Sequence, residues 1–207
     1  MTYRPSFRTS CGMASAVVLA TCSFFATGAK ADPYSLPIAS YGPVPVGATP
    51  SASTVSLQQL AAQVGLAAFT APNWHEGTLR HIVMFRYKSS STPAQRSEVT
   101  ARFLHLAQDS RRADGKPLVV SIETGMQTSG EGTDDGLQQA FLLTFRSEGD
   151  RNYYVGKPVI TDSAYFDPAH EAFKQFAAPY LEKVVVFDFS VQAVSAPSAS
   201  HGKRRGR

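Results

Sequence analysis

The chain has 207 residues, 43% of them apolar and 17% charged, which suits one globular domain with an appendage and excludes collagen-like, coiled-coil or wholly disordered architectures. Twenty Lys and Arg against sixteen Asp and Glu give a net charge of +4. Three cations (Arg4, Arg8, Lys30) lie in the first 31 positions and four (Lys203, Arg204, Arg205, Arg207) in the last five, with no acid within either segment, so the body stands at −3 and no nucleic-acid-binding face is implied.

Residues 1–31 join an arginine-bearing start to the apolar run Ala14-Ser15-Ala16-Val17-Val18-Leu19-Ala20 and the small-residue exit Gly28-Ala29-Lys30-Ala31. These are the features of a secretory signal peptide cleaved before Asp32. A membrane anchor requires ~20 apolar residues, and Thr21, Cys22 and Ser23 interrupt this run. Leu19-Ala20-Thr21-Cys22 also resembles a bacterial lipobox, which would leave a lipidated Cys22 at the mature terminus in place of Asp32. Either way the expected protein is exported, periplasmic or secreted, with no integral span in the mature chain. Cys11 and Cys22 are the only cysteines, so cleavage before Asp32 leaves no disulfide and no thiolate metal site, and the domain must stand on its hydrophobic core.

Residues 32–76 read as a Pro/Ser/Ala-rich linker. Within it Leu57, Leu60, Ala61 and Val64 recur at helical spacing, which predicts a short helix over 56–69 behind Ser56, interrupted at Gly65. Residues 77–191 carry a compact succession of elements. His81 to Tyr87 is β-branched and aromatic over strand length. Thr92-Pro93 then supplies a cap and a first-turn proline, with Val99, Phe103 and Leu106 at helical spacing behind it. Strands at 118–124 and 139–145 flank a Gly- and Asp-rich turn, which makes a hairpin. An irregular stretch after Arg146 leads to a second cap and proline, Asp167-Pro168, and to a helix with Phe173, Phe176 and Tyr180 on one stripe that Pro179 bends or ends. Val184 to Val191 is the fourth strand, and 192–207 is a disordered basic tail.

The order β-α-β-β-α-β predicts an α+β, ferredoxin-like fold with both helices on one face of an antiparallel sheet. The other face is too apolar for water, because both alternating sets of the first strand (His81, Val83, Phe85 and Tyr87; Ile82 and Met84) are rich in apolar residues. A homodimer through that open face, enclosing a dimeric α/β barrel with a small-molecule cavity between the two sheets, is the economical solution.

Arg80-His81-Ile82-Val83-Met84-Phe85-Arg86-Tyr87-Lys88 resembles the opening strand of stress-responsive dimeric A/B barrel (Dabb) domains. Tyr165-Phe166-Asp167-Pro168-Ala169-His170-Glu171-Ala172-Phe173 is similar to their helix-start motif His-Pro-x-His-x-x-Phe, and Val184 to Phe189 to their closing strand. The resemblance implies a dimeric barrel, in a family where most members have no assigned reaction and a plant member closes a polyketide ring with histidines of its cavity. It maps His81 onto the strand histidine and His170 onto the second histidine of the helix motif, and these are the candidate catalytic residues. Asp167 replaces the motif's first histidine, Gln139 stands where the plant cyclase has a further cavity histidine, and Tyr165 adjoins the place of a cavity tyrosine. With Phe85, Tyr87 and Phe141 these complete the expected ligand cavity.

A neutral His170 can accept a proton from a carbon beside a carbonyl, with Tyr87, Tyr165 or His81 steadying the enolate. The alternative is that His81 and His170 hydrogen-bond to backbone or to each other and fix the barrel entrance. The sequence thus points to an exported Dabb domain that binds a small apolar or aromatic ligand or serves a structural role. The competing reading is a cyclase- or isomerase-like enzyme acting on a polyketide-like or phenolic substrate. No cofactor is expected, and the five histidines lack H-E-x-x-H spacing, so no metal is expected either.

Overall fold

The computed structural model describes residues 40–41 and 50–195. The leader at 1–31, both cysteines, most of the linker's first half and the tail from 196 lie outside the described residues. The elements are β1 (Ser40–Tyr41), α1 (Ala52–Val64), α2 (Leu66–Phe69), β2 (Glu76–Tyr87), α3 (Pro93–Asp109), β3 (Val119–Met126), β4 (Gln139–Ser147), α4 (Glu148–Val155), α5 (Pro168–Ala177) and β5 (Leu181–Ser190). The sheet order is β1-β5-β2-β4-β3 with every pairing antiparallel. Without β1 this is the ferredoxin-like βαββαβ arrangement, an α+β fold.

Local chemistry accounts for the helix starts. Thr92 accepts from the Gln95 amide while the Gln95 side chain accepts from the Thr92 amide, a reciprocal capping box with Pro93 in the first turn. Asp167 accepts from the amides of Ala169 and His170 ahead of Pro168. Pro179 falls in a 3-10 turn that follows α5, so the helix stops at Ala177. Three elements depart from the sequence reading, the first being β1, which lies within the expected linker and pairs with β5. The first helix starts at Ala52, because Ser51 rather than Ser56 accepts from the Thr54 amide, and Gly65, at φ +85°, divides it from α2. The stretch after Arg146, expected to be irregular, holds α4, capped by Ser147 and closed by Gly156.

Both crossovers, β2-α3-β3 and β4-α5-β5, join parallel strands of one sheet, so the usual right-handed connection sends both helices to the same face. There Leu79, Val83, Phe85, Phe141, Leu143 and Phe145 are buried against Val99, Phe103, Leu106 and Phe173. Phe103 stacks on Phe141 at 3.9 Å between ring centroids. The opposite face carries rows set by the pairing register: Phe189, Arg80 and Thr144; Phe187, Ile82 and Leu142; Val185, Met84 and Ala140. A second apolar cluster (Ala61, Phe69, Ile160, Phe166) binds α1 and α2 to the segment between α4 and α5. No helix among the described residues is long and apolar enough to cross a membrane.

Candidate functional site

The site grows from the pairing of β2 with β5. Their register sets His81 opposite Asp188, Val83 opposite Val186 and Phe85 opposite Val184, so polarity falls steadily along the strands. His81 Nδ1 lies 2.6 Å from Asp188 Oδ1, and Arg151 of α4 pairs with the other carboxylate oxygen. Burial alone would push the Asp188 carboxyl up, but attraction to His81 and Arg151, with their hydrogen bonds, outweighs it and holds the group well below the usual carboxylate range. An ionised carboxylate only accepts, so Nδ1 of His81 carries the proton that it donates to Asp188.

His170 sits in the first turn of α5. Its ring lies flat on Tyr154, with centroids 3.9 Å apart and planes 13° apart, and Nδ1–H donates to the Tyr154 carbonyl at 2.8 Å. Burial drives its pKa well below the ordinary value, with Lys174 and His81 adding to the fall and the bond to Tyr154 opposing it. The ring is therefore neutral near pH 7, and Nε2 holds a free lone pair. Tyr154 also meets His81 edge-on at 6.0 Å, so one fully buried ring spaces the two imidazoles. Its hydroxyl is buried without a protein partner, and burial, then Asp167, raises its pKa well above the ordinary value.

Both histidines open onto a cavity of about 520 Å³, largely apolar, lying between the covered sheet face and α4 and α5. Val83, Phe85, Phe103 and Phe173 form its floor, Arg151, Asn152 and Asp188 its polar end, and residues 155–160 with Leu57 and Phe69 its outer wall.

Of the residues singled out from sequence, the fold brings His81, His170 and Phe85 together in the cavity wall. Phe141 is fully buried and stacked on Phe103, which stands in the wall in its stead. The Tyr87 hydroxyl donates to Gln139 Oε1 at 2.8 Å, and Gln139 donates to Thr124, so this polar knot is self-satisfied and does not line the cavity. Tyr165 packs on the second apolar cluster, and Asp167 is a buried helix cap whose carboxyl burial raises against the lowering of its hydrogen bonds. The expected location must be corrected: the cavity that holds both imidazoles lies on the helix-covered face of the sheet, not on the open face expected to meet a second sheet. The reason is the alternation itself, since His81 belongs to the set of Leu79, Val83 and Phe85, which the crossovers turn toward the helices.

Sequence reasoning missed the histidines' partners Asp188, Arg151 and Tyr154. Asp188 did leave a signal, as one carboxylate amid the apolar run from Val184 to Phe189. Arg151 and Tyr154 come with the unrecognised α4, which Ser147 followed by Glu148 and Asp150, with Gly156 behind, could have disclosed. Among the described residues no three His, Cys, Asp or Glu side chains converge to hold a metal ion.

The chain is similar to several solved structures. The Arabidopsis thaliana protein At3g17210 is 22% identical, with a TM-score of 0.46 over 57% of this chain and 99% of its own. A hydroxynitrile lyase from Passiflora edulis is 23% identical, with a TM-score of 0.45 over 58% of this chain and 99% of its own. A Dabb family protein with a ferredoxin-like fold from Mesorhizobium loti is 18% identical, with a TM-score of 0.42 over 57% of this chain and 100% of its own. No curated relative matches the chain. The family model for the stress responsive A/B barrel domain matches residues 79–191, from the start of the buried part of β2 to the end of β5, and the chain belongs to that family.

Proposed function

We propose that this is an exported, homodimeric Dabb protein whose barrel domain binds a small, mainly apolar or aromatic molecule bearing one or two hydrogen-bonding oxygens. The observation that carries the reading is a largely apolar cavity of about 520 Å³ with two imidazoles and Arg151 gathered at one end. Such a space favours an apolar body by roughly 25 cal/mol per Å² removed from water, while the polar end fixes its orientation. Export rests on the character of residues 1–31, and its readout is whether the mature chain starts at Asp32 or at an acylated Cys22. Dimerisation rests on the half-exposed Phe187 and Phe189 of the open face.

A second reading, proton transfer, is favoured by the tautomer of His170. Nε2 can take a proton from a carbon next to a carbonyl, the C–H electron pair passes to the carbonyl oxygen as an enolate, and Arg151 in the same wall offers it a cation. Return of the proton from Nε2 to the same carbon gives exchange, and its delivery to another carbon of a conjugated enolate, with the electron pair returning from oxygen, completes an isomerisation. One calorimetric and NMR experiment tests both readings with a panel of phenolic and β-keto compounds. Saturable binding to the wild type supports the ligand-binding reading, and no binding by any member removes it. Deuterium exchange at the bound carbon above the solvent background, lost in His170→Asn while binding persists, supports the enzyme. Asn keeps a donor for the Tyr154 carbonyl but lacks Nε2, so the variant separates chemistry from packing. Binding without accelerated exchange removes the enzyme.

A further inference from the structure

The family match begins at residue 79, yet part of the cavity wall comes from before it. Leu57 of α1 and Phe69 of α2 line the cavity together with the floor made by β2, α3 and α5. This segment is docked on the domain at several points. Asn152, a neighbour of Arg151, donates to the Phe69 carbonyl at 2.8 Å from a buried position, and Gln58 donates to the Pro158 carbonyl at 2.9 Å. The amides of Glu148 and Gly149 donate to the carbonyls of His75 and Trp74. A Cβ on Gly149 would come within 1.8 Å of the Ala71 carbonyl oxygen, so only glycine allows the start of α4 to approach the chain that leaves α2. Ala61 and Phe69 pack with Ile160 and Phe166 and leave little room for the segment to swing away.

The segment also has a chemical character. From Ser51 to Trp74 it holds no ionisable side chain, whereas the cavity's other outer residues include Lys157, Glu171 and Lys174. Its two residues that line the cavity, Leu57 and Phe69, present hydrocarbon to a ligand. Leu57 is half-buried and on the cavity side of α1, while Val55, two residues away, faces water at 39% exposure.

We propose that the helical segment Ala52–Phe69 is a built-in cap of the cavity, with Leu57 the residue that sets how long an apolar ligand the domain accepts. This rests on the ligand-binding reading above and adds to it a size-selecting wall supplied from outside the family domain. Ligands are then ranked by the length of their apolar part, not by charge at the cap end.

The test is calorimetric titration of the full mature chain with para-alkylphenols from para-ethylphenol to para-octylphenol, together with thermal melting of each variant. Leu57→Trp is expected to weaken the longest phenols about tenfold, the loss of some two buried methylenes, while the shortest keep wild-type affinity. Leu57→Ala is expected to shift the preference to longer chains, and it carries the test if the Trp variant does not fold. Val55→Trp, on the solvent side of the same helix, is expected to leave the length profile unchanged. A wild-type profile in both Leu57 variants overturns the cap and leaves the ligand-binding reading standing. An equal change in Val55→Trp also overturns it, since the effect would then not depend on facing the cavity. Absence of binding by every phenol in the wild type takes down both.

Discussion

On the helix-covered face of the sheet Phe141 stacks on Phe103, meets Phe85 at 5.2 Å and is wholly excluded from water. Two strands away, on the other face, Phe187 and Phe189 touch each other at 5.9 Å and stay 41% and 40% exposed. The residue type and the alternation are the same, and what differs is the cover. Covered-face phenylalanines fill a close-packed interior, so removing one leaves a cavity, whereas the open-face pair has only its neighbours in the sheet to lean on. The largest expected effect follows. Phe141→Ala should lower the unfolding free energy by about 3–5 kcal/mol, read by urea denaturation. A loss under about 1 kcal/mol would mean that the two faces are packed alike.

The same contrast explains what the sequence could disclose. Strands were legible because β-branched and aromatic residues run over strand length between turn residues, and helix starts because Thr92-Pro93 and Asp167-Pro168 are strong caps. The histidines were legible as a pair through the resemblance of the motifs around them. Which alternating set meets the helices was not, since Ile82 and Met84 are as apolar as Val83 and Phe85, and only the handedness of two long crossovers decides between them. The cavity was therefore expected on the wrong side. Helix α4 escaped notice because Gly149 and the mixed run from Asp150 to Tyr153 blur its periodicity, and with it went Arg151 and Tyr154. Gly149 is there for the approach of the Ala71 carbonyl, a long-range contact that no local pattern encodes.

The covered face should also resist charge. His170 is held neutral by burial first and by Lys174 next, and its native pKa lies well below the ordinary value. As pH falls below about 6.5, the unfolded chain takes up a proton that the native ring refuses, so stability drops with falling pH by up to about 1.4 kcal/mol per unit. The loss ends where pH reaches the native pKa. Asp188 is shifted in the same direction for a different reason, its charged form being favoured by His81 and Arg151, so its stabilisation is complete above about pH 4 and lost only below it. Asp167, whose native pKa is raised, opposes the His170 slope just above the ordinary carboxyl range. Comparing wild type with His170→Asn in urea melts between about pH 6.5 and 5 isolates the histidine, and the variant should have the flatter profile. Equal slopes would mean that the ring does not bear the burial penalty.

The smallest effect on folding, and the sharpest on assembly, belongs to the open face. Phe187 lies in one row with Ile82 and Leu142, and the next row adds Val185 and Met84, so an apolar strip crosses three strands, and no helix among the described residues lies above it. A subunit alone leaves this strip in water, and a second copy set against it removes that area from solvent at roughly 25 cal/mol per Å². Phe187→Glu should lower the stability of the isolated subunit by about 1–2 kcal/mol, less than Phe141→Ala, because the side chain already reaches water over part of its surface. In a dimer two carboxylates would be forced into the apolar strip between the sheets, and the desolvation of each costs more than the lost phenyl contacts supply. Sedimentation equilibrium at micromolar concentration is expected to find dimers of the wild type and single subunits of the variant. Unchanged dimers in Phe187→Glu would place the interface elsewhere, and the apolar strip would then need another partner.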